Sequence, residues 1–110
     1  MLDTRQLDAA FFALSDPTRR AILTRLALGE ATVGELTEPS GLTQPAISRH
    51  LKVLQRAGLI RRGRSAQRRP AILEEQSMSD VLIWIERYRK QWERAYDRLD
   101  AVLAEERKRT

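Results

Sequence analysis

The sequence predicts a mainly α-helical domain of about five helices with one small β-hairpin. Apolar side chains recur at spacings of three and four residues in several short segments, as expected of amphipathic helices. A seven-residue apolar repeat continues through residues 81–102. Before it, two short apolar segments flank a run rich in arginine, which predicts a hairpin. Because 110 residues with 42% apolar side chains suit one hydrophobic core, we treat residues 1–110 as a single domain.

The composition excludes several kinds of chemistry. The chain has no cysteine, which rules out disulfides, thiolate metal sites and a cysteine nucleophile. Its longest apolar runs, residues 9–14 and 81–85, are too short to span a bilayer, and the N-terminus lacks the basic and apolar regions of a signal peptide. We therefore expect a cytoplasmic protein with no membrane partner.

The first two helices are predicted from apolar spacing and from capping residues. Residues about 4–14 form the first helix, in which apolar side chains recur at helical spacing: Leu7, Ala10, Phe11 and Leu14. Asp16 and Pro17 indicate the start of the second, since the carboxylate can accept from free backbone N–H groups and proline needs no N–H partner there. We expect this helix to run to Leu28 and to end at Gly29. Its inward face comprises Ile22, Leu23 and Leu26.

Two further short helices follow. Thr32 and Glu35 have the spacing of a capping box, which predicts a third helix that ends before Pro39. Thr43 can cap a fourth helix that ends at Gly58. The apolar side chains of the fourth helix face the core at spacings of four and three: Ile47, Leu51 and Leu54. Its opposite face carries Gln44, Pro45, Ser48, Arg49 and Lys52.

A two-stranded hairpin with a long tip is predicted after the fourth helix. Residues 59–62 form a short strand that meets Gly63, and residues 71–73 form a second strand after Pro70, a position allowed at the start of an edge strand. The tip and the strand ends are lined with arginines: Arg61, Arg62, Arg64, Arg68 and Arg69.

The last helix is predicted over about residues 79–105. Its apolar seam repeats at separations of four and three for three heptads: Val81, Ile85, Tyr88, Trp92, Ala95, Leu99 and Val102. The stripe is widened by Trp84, Tyr96 and Leu103, so it spans two faces, one for the body of the domain and one for a partner. Its aromatic side chains could instead line a ligand pocket, but a core or an interface is the commoner use. We therefore expect a two-fold homodimer.

Positive charge is concentrated in the middle of the chain. The net charge is +5, yet residues 41–70 contain eight basic and no acidic residues, so this segment carries +8 and the remainder carries −3. Such a distribution is typical of a protein that docks one face on phosphates. The plainer alternative is a solvated basic surface.

Two helices joined by a turn, the second polar on its outer face, followed by a basic hairpin, predict a winged helix-turn-helix. The major groove of a DNA duplex admits one helix, and Gln and Arg can bond bidentately to adenine and guanine edges. Gln44, Ser48, Arg49 and Lys52 share the outward face of the fourth helix. Thr43 and the helix N-terminus can hold a phosphate, and the five hairpin arginines can reach phosphates or a minor groove.

Three segments of the chain resemble the ArsR (ArsR/SmtB) family of bacterial transcriptional regulators: ALSDPTRRAIL at 13–23, GLTQPAISRHLKVL at 41–54 and AGLI at 57–60. The resemblance covers about residues 7–104. It implies a homodimer that grips a double-stranded operator, usually to repress it, and it assigns DNA reading to Gln44, Ser48 and Arg49. It also implies an interface between the first and last helices, which we assign to Leu7, Phe11, Ile85, Tyr88, Trp92, Leu99 and Val102.

The sequence departs from the family at its metal sites. Members that sense arsenic, cadmium or lead place cysteines in the third helix, where this chain has ATVGEL at 31–36. Zinc or nickel sensing needs several imidazoles, and the single histidine is His50. We expect no metal and no cofactor, and His50 is a structural residue or a phosphate donor.

Three other function classes fit the sequence less well. A winged helix that binds RNA or single strands usually needs aromatic stacking residues, and residues 41–70 contain no Phe, Tyr or Trp. A protein-interaction domain with an acidic partner is a third possibility, and its binding to random DNA would not depend steeply on salt. An enzyme is the least favoured, because the chain has no Gly-rich phosphate loop, no paired-carboxylate site and no nucleophile beside a base. We expect no catalytic residue, and Ser48 lacks an activating base.

Overall fold

The computed structural model describes residues 2–64 and 68–109. Its elements in chain order are α1 (Thr4–Leu14), α2 (Pro17–Leu26), α3 (Val33–Ser40), α4 (Gln44–Arg56), β1 (Ile60–Arg62), β2 (Ala71–Leu73) and α5 (Glu75–Arg109). The predicted five helices and two-stranded hairpin are therefore confirmed. Residues 65–67, which belong to the predicted hairpin tip, lie outside the described residues.

A polar side chain caps the start of each of the first four helices: Asp3, Asp16, Thr32 and Thr43. Each accepts a hydrogen bond from the backbone N–H three residues later, which satisfies one of the free donors of the first turn. In α3 the cap is reciprocal, because Glu35 accepts from the Thr32 backbone N–H at 3.2 Å. The caps predicted at Asp16, Thr32 and Thr43 are confirmed, whereas Asp3 was not predicted.

The prediction that α3 ends before Pro39 is wrong. The helix includes Pro39 in its last turn and ends at Ser40, followed by Gly41 with φ of +73°. Proline is tolerated this late because few backbone bonds remain to be made. Two hydroxyls of α3 donate to backbone carbonyls of the same helix: Thr37 to Val33 O at 2.6 Å and Ser40 to Thr37 O at 2.7 Å.

Two helix boundaries differ from the prediction by a few residues. Helix α2 ends at Leu26, and a tighter turn follows in which the Leu28 and Gly29 N–H groups donate to Arg25 O and Leu26 O. Helix α5 begins at Glu75, before its apolar repeat starts, and extends to Arg109. Acidic residues in a first turn favour helix formation through the helix dipole, a signal that the apolar pattern does not carry.

The core lies where α1, α2, α3 and α4 meet the hairpin and the start of α5. Its largest fully buried side chains are Ile47, Leu51, Leu54, Leu59 and Val81. The inward residues predicted for α2 and α4 are all buried, which confirms those faces. In α1 the inward face comprises Ala10 and Ala13, while Phe11 is 38% exposed. Burial of each large side chain contributes about 1.5–3 kcal/mol, so Ile47, Leu51 and Leu54 hold α4 against the core.

The hairpin is antiparallel and is joined to the body by a third segment. Ile60 pairs with Leu73 and Arg62 pairs with Ala71. Ala31, in the connection between α2 and α3, bridges to Ala71 through N···O distances of 3.1 and 2.7 Å. This bridge was not predicted, and it ties the base of the hairpin to the start of α3.

Helix α5 leaves the body of the domain after its first two turns. Val81 is its buried residue, and positions 82–94 and 96–109 are exposed in the single chain. The described part of the protein consequently extends 71 Å along its long axis but only 31 and 23 Å across. Among the described residues, no helix is both long and apolar enough to cross a membrane.

Candidate nucleic-acid interface

Helix α4 separates a fully buried face from a polar one. Ile47, Leu51 and Leu54 have no exposed surface, which anchors the helix in the core. On the outer side Gln44, Arg49 and Lys52 are exposed, and Ser48 is half-buried. The structure thus brings together the predicted helix residues on one surface of a helix about 20 Å long.

Thr43 lies at the start of this surface and acts as the N-cap. Its hydroxyl oxygen accepts from the Ala46 N–H at 3.3 Å, and Pro45 in the first turn has no N–H. The Gln44 N–H belongs to the first turn, where backbone donors have no acceptor within the helix. The phosphate role assigned to Thr43 stays a prediction.

Arg56 is a further cation on α4 that the sequence analysis did not assign to the site. It lies seven residues after Arg49, which places both side chains on the same face two turns apart. Arg56 is exposed. The spacing of seven was the available signal, but a basic residue in a last turn is also explained by the helix dipole.

The first two hairpin arginines are held by the protein itself. Arg61 Nη1 lies 2.6 Å from Glu74 Oε1. Arg62 Nε donates to Arg69 O at 2.9 Å, across the hairpin. Partial burial, together with the charge of Arg69, lowers the pKa of Arg62 below its usual value. The Arg61 and Arg62 side chains therefore stabilise the hairpin through contacts within the protein. These contacts distinguish them from the other predicted hairpin arginines.

The remaining hairpin arginines, Arg64, Arg68 and Arg69, are exposed. Arg68 lines a cleft of about 380 Å³ between the hairpin and the start of α3. Glu35 lies on the other side of this cleft. The Thr32 backbone N–H lowers the pKa of Glu35, with smaller contributions from the charges of Arg25 and Arg68. Arg68 therefore lies at this cleft beside the start of α3, while Arg64 and Arg69 face solvent.

Arg19 is a buried cation that sequence reasoning missed. It is 8% exposed, and its guanidinium reaches the C-terminus of α1 and His50 on α4. The sequence offered no spacing signal, because the partners are backbone carbonyls and a residue 31 positions away. His50 is half-buried.

An apolar surface lies on α1 and α5, away from the core. Five rings follow one another with centroid separations of 5.2–5.8 Å: Phe11, Trp84, Tyr88, Trp92 and Tyr96. The predicted interface residues beyond the rings are also accessible, since Ile85, Leu99 and Val102 are 39–58% exposed and Leu7 is half-buried. We call these residues of α1 and α5 the aromatic face. Within residues 2–64 and 68–109, no group of three or more His, Asp or Glu side chains could hold a metal ion.

The chain matches known regulatory proteins along most of its length. Residues 16–62 match the family described as bacterial regulatory protein, arsR family. The HTH-type transcriptional regulator Rv2034 of Mycobacterium tuberculosis (strain ATCC 25618 / H37Rv) is 40% identical over 91 residues, which cover 83% of this chain and 82% of the relative. The solved ArsR family transcriptional regulator RHA00566 is 38% identical with a TM-score of 0.72, covering 80% of this chain and 97% of that one. The chain belongs to the ArsR family.

Membership of the ArsR family confirms the winged helix-turn-helix fold and the resemblance derived from the sequence. This ArsR-family chain is a DNA-binding transcriptional regulator and not an enzyme. Another relative is the transcriptional repressor SdpR of Bacillus subtilis (strain 168), 35% identical over 79 residues that cover 72% of this chain and 88% of the relative.

Proposed function

We propose that this ArsR-family regulator is a homodimeric repressor that reads a pseudo-palindromic double-stranded operator near its own or neighbouring genes. The observation that carries the proposal is the division of α4 into a fully buried face and an exposed face with Gln44, Arg49 and Lys52. A helix held by its core side and polar on its outer side is what a major groove can accept.

The exposed side chains of α4 divide by chemistry. Gln44 is in the first turn, where a recognition helix approaches base edges, and its amide can bond bidentately to adenine. Arg49 can bond bidentately to guanine. Lys52 has a compact charge suited to a phosphate, and Ser48 has a short hydroxyl that can serve either contact.

The exposed hairpin arginines supply the second contact. Arg64 and Arg69 face solvent and can neutralise phosphates or enter a narrow minor groove. Arg68 is exposed at the cleft beside α3 and can do the same. Arg61 and Arg62 hold the hairpin in shape, so their part in DNA binding is secondary unless Arg61 releases Glu74.

The aromatic face supports the homodimer. Large apolar side chains on α1 and α5 are 38–58% exposed in the single chain, and a surface of contiguous rings is costly to leave in water. A second copy covers it with an identical surface, as two-fold symmetry requires. That arrangement places the two α4 helices about 34 Å apart, one turn of DNA, on an inverted repeat.

Metal control is not part of this proposal. The chain has no cysteine and one histidine, so it lacks the soft ligands and the imidazoles that such sites use. That histidine contacts Arg19.

Selection from a random duplex library, followed by footprinting on the DNA upstream of the gene, tests the proposal. We expect an inverted repeat with half-sites one turn apart and affinity that falls steeply with salt. A control for the loss of one positive charge is Arg89→Ala on α5, at a residue that is paired with Glu86. Equal binding to all duplexes, or a preference for single strands or RNA, would contradict the proposal.

A further inference from the structure

Arg19 is the one charged side chain that is buried in the part of the chain that the structure describes. Burying a guanidinium is costly unless its N–H groups find partners. Arg19 lies at the start of α2, between α1 and α4. Its burial must therefore be explained by the contacts that it makes there.

Two of its hydrogen bonds go to the C-terminus of α1. Arg19 Nε donates to Ala13 O at 2.7 Å, and Nη2 donates to Phe12 O at 3.1 Å. These carbonyls belong to the last turn of α1, and Phe12 O also accepts from the Ser15 N–H at 3.1 Å and the Ser15 hydroxyl at 2.6 Å. The guanidinium carbon also lies 5.2 Å from the centroid of the Phe12 ring.

The third contact goes to α4. Arg19 Nη1 lies 3.3 Å from His50 Nδ1. A hydrogen bond between these groups requires that Nδ1 accept, since an arginine can only donate, and the neutral His50 ring that makes it carries its proton on Nε2. The Asp16 carboxylate is 3.9 Å from the same ring nitrogen and accepts from the Arg19 backbone N–H at 3.0 Å.

From this geometry we infer that Arg19 is a positioning residue that sets the orientation of α4 relative to α1. His50 directly follows Arg49, so a bond to His50 fixes the rotation of α4 about its axis and thereby the direction of the reading side chains. This inference rests on the proposed function in one respect. If α1 lies at the dimer interface, the Arg19–His50 contact also fixes the separation of the two α4 helices.

The chemistry of the contact requires arginine. A planar guanidinium directs donors to three acceptors at fixed angles, whereas a lysine ammonium keeps the charge but lacks the fork. Arg19→Lys is therefore the informative variant. Arg20→Lys is its matched control, because the exposed Arg20 side chain donates through Nη1 to Leu14 O of α1 at 2.8 Å and is not among the groups that contact His50.

A distance measurement between α1 and α4 tests the inference without DNA. The chain lacks cysteine, so spin labels can be attached at Arg5→Cys on α1 and Gln55→Cys on α4, both exposed positions. Dilution with unlabelled protein leaves only distances within one chain. We expect Arg19→Lys to broaden or shift the α1–α4 distance distribution, and Arg20→Lys to leave it unchanged. Identical distributions in all three proteins would overturn the inference.

The ring nitrogens of His50 give a second measurement, which Arg19→Lys would not change if Arg19 only stabilised the fold. Because the chain has one histidine, its tag-free nitrogen spectrum contains one pair of imidazole signals. At about pH 8, where free histidine is neutral, we expect the Nε2–H form in the parent protein and a mixture of both forms in Arg19→Lys. The same mixture in the parent protein would contradict the contact.

Variants of His50 test the same contact if Arg19→Lys does not fold. His50→Gln retains an acceptor for Arg19, and His50→Leu removes it. We expect His50→Leu to reproduce the broadened distance distribution and His50→Gln to restore the narrow one. Equal distributions in the two variants would count against a hydrogen-bonded role.

Binding to DNA connects the contact to function. On the selected duplex, we expect Arg19→Lys to lower the ratio of specific to random-sequence affinity by about tenfold, which corresponds to about 1.4 kcal/mol, while Arg20→Lys changes it less than about twofold. A parent protein that selects no duplex would refute the proposed function, while the spin-label distances would still decide the role of Arg19. Unchanged selectivity in Arg19→Lys together with an altered distance would refute the functional part of the inference.

Discussion

The Arg61 guanidinium is bound to Glu74, with Nη1 2.6 Å from Oε1, so the first hairpin arginine is held by the residue that leads into α5. Both side chains are accessible, and exposed ion pairs of this kind contribute about 0–1 kcal/mol. The ion pair therefore sets the direction of the Arg61 side chain more than it stabilises the fold.

Replacing Glu74 with Gln should release Arg61 toward DNA. We expect tighter binding to random duplex and a steeper salt dependence, by up to about one additional phosphate contact. Affinity measured over a series of salt concentrations reads out the slope. Glu86→Gln is the matched control, because it changes the net charge equally and removes one of the two carboxylates that pair with Arg89 on α5. The same slope change in both variants would show that net charge alone is responsible.

Arg49→Ala should relax base preference at one position of each half-site. The loss of a bidentate contact to a base costs about 1–3 kcal/mol for the cognate sequence and little for random DNA. Lys52→Ala should instead weaken binding to all duplexes alike. Competition assays with single-base operator variants separate the two effects. A uniform loss for Arg49→Ala would reassign that side chain to a phosphate.

Leu99→Asp should convert the proposed dimer to a monomer. Leu99 is 51% exposed on the aromatic face, and a carboxylate there would lose its hydration without a partner. Leu28→Asp is the control, since Leu28 is 85% exposed beyond the end of α2. Sedimentation equilibrium should report a monomer for the first variant and a dimer for the second. Two dimers would place the interface elsewhere.

Two glycine substitutions should change stability in opposite directions. A Cβ at Gly63 would lie 2.9 Å from the Pro70 ring, so Gly63→Ala must move the hairpin, at a cost of about 1–3 kcal/mol. A Cβ at Gly34, inside α3, would have Thr32 Oγ1 at 3.9 Å as its nearest neighbour, so Gly34→Ala should gain about 0.5–1 kcal/mol. Chemical denaturation of the two variants measures both changes. A neutral Gly63→Ala would indicate a hairpin that adapts without strain.

Acid should weaken the start of α3. The Thr32 backbone N–H holds the pKa of Glu35 below its ordinary value of 4.5. A carboxylate whose pKa is lower in the folded state stabilises the fold above the unfolded pKa, and this contribution is lost as the pH falls through the folded value. Glu35→Gln keeps a capping side chain but does not titrate. Melting temperatures from pH 7 to pH 3 should therefore fall less steeply for Glu35→Gln than for the parent protein, and parallel curves would contradict the assignment.

Much of the fold follows from local chemistry that the sequence displays. Polar caps at Asp16, Thr32 and Thr43 set three helix starts, because each side chain meets free N–H groups within its own turn. The spacing of Ile47, Leu51 and Leu54 places α4 on the core. Helix α3 extends two residues beyond its predicted end, because a proline in the last turn removes only one backbone hydrogen bond.

The parts of the candidate site that were missed depend on contacts between distant segments. The Arg61–Glu74, Arg62–Arg69 and Arg19–His50 contacts join residues 13, 7 and 31 positions apart. Such pairs follow no periodicity in the sequence. A count of basic residues does not distinguish arginines that are bound within the protein from arginines that face solvent. The Ala31–Ala71 bridge was missed for the same reason.

The most direct measurement of the central claim is DNA cleavage by an iron chelate attached to α4. Because the chain has no cysteine, Gln55→Cys on the outer side of α4 gives one attachment point, and Arg94→Cys on α5 gives a control. We expect two cleavage clusters from α4, symmetric about the operator centre and about 10 base pairs apart, and none from α5. A single cluster from α4, or stronger cleavage from α5, would contradict it.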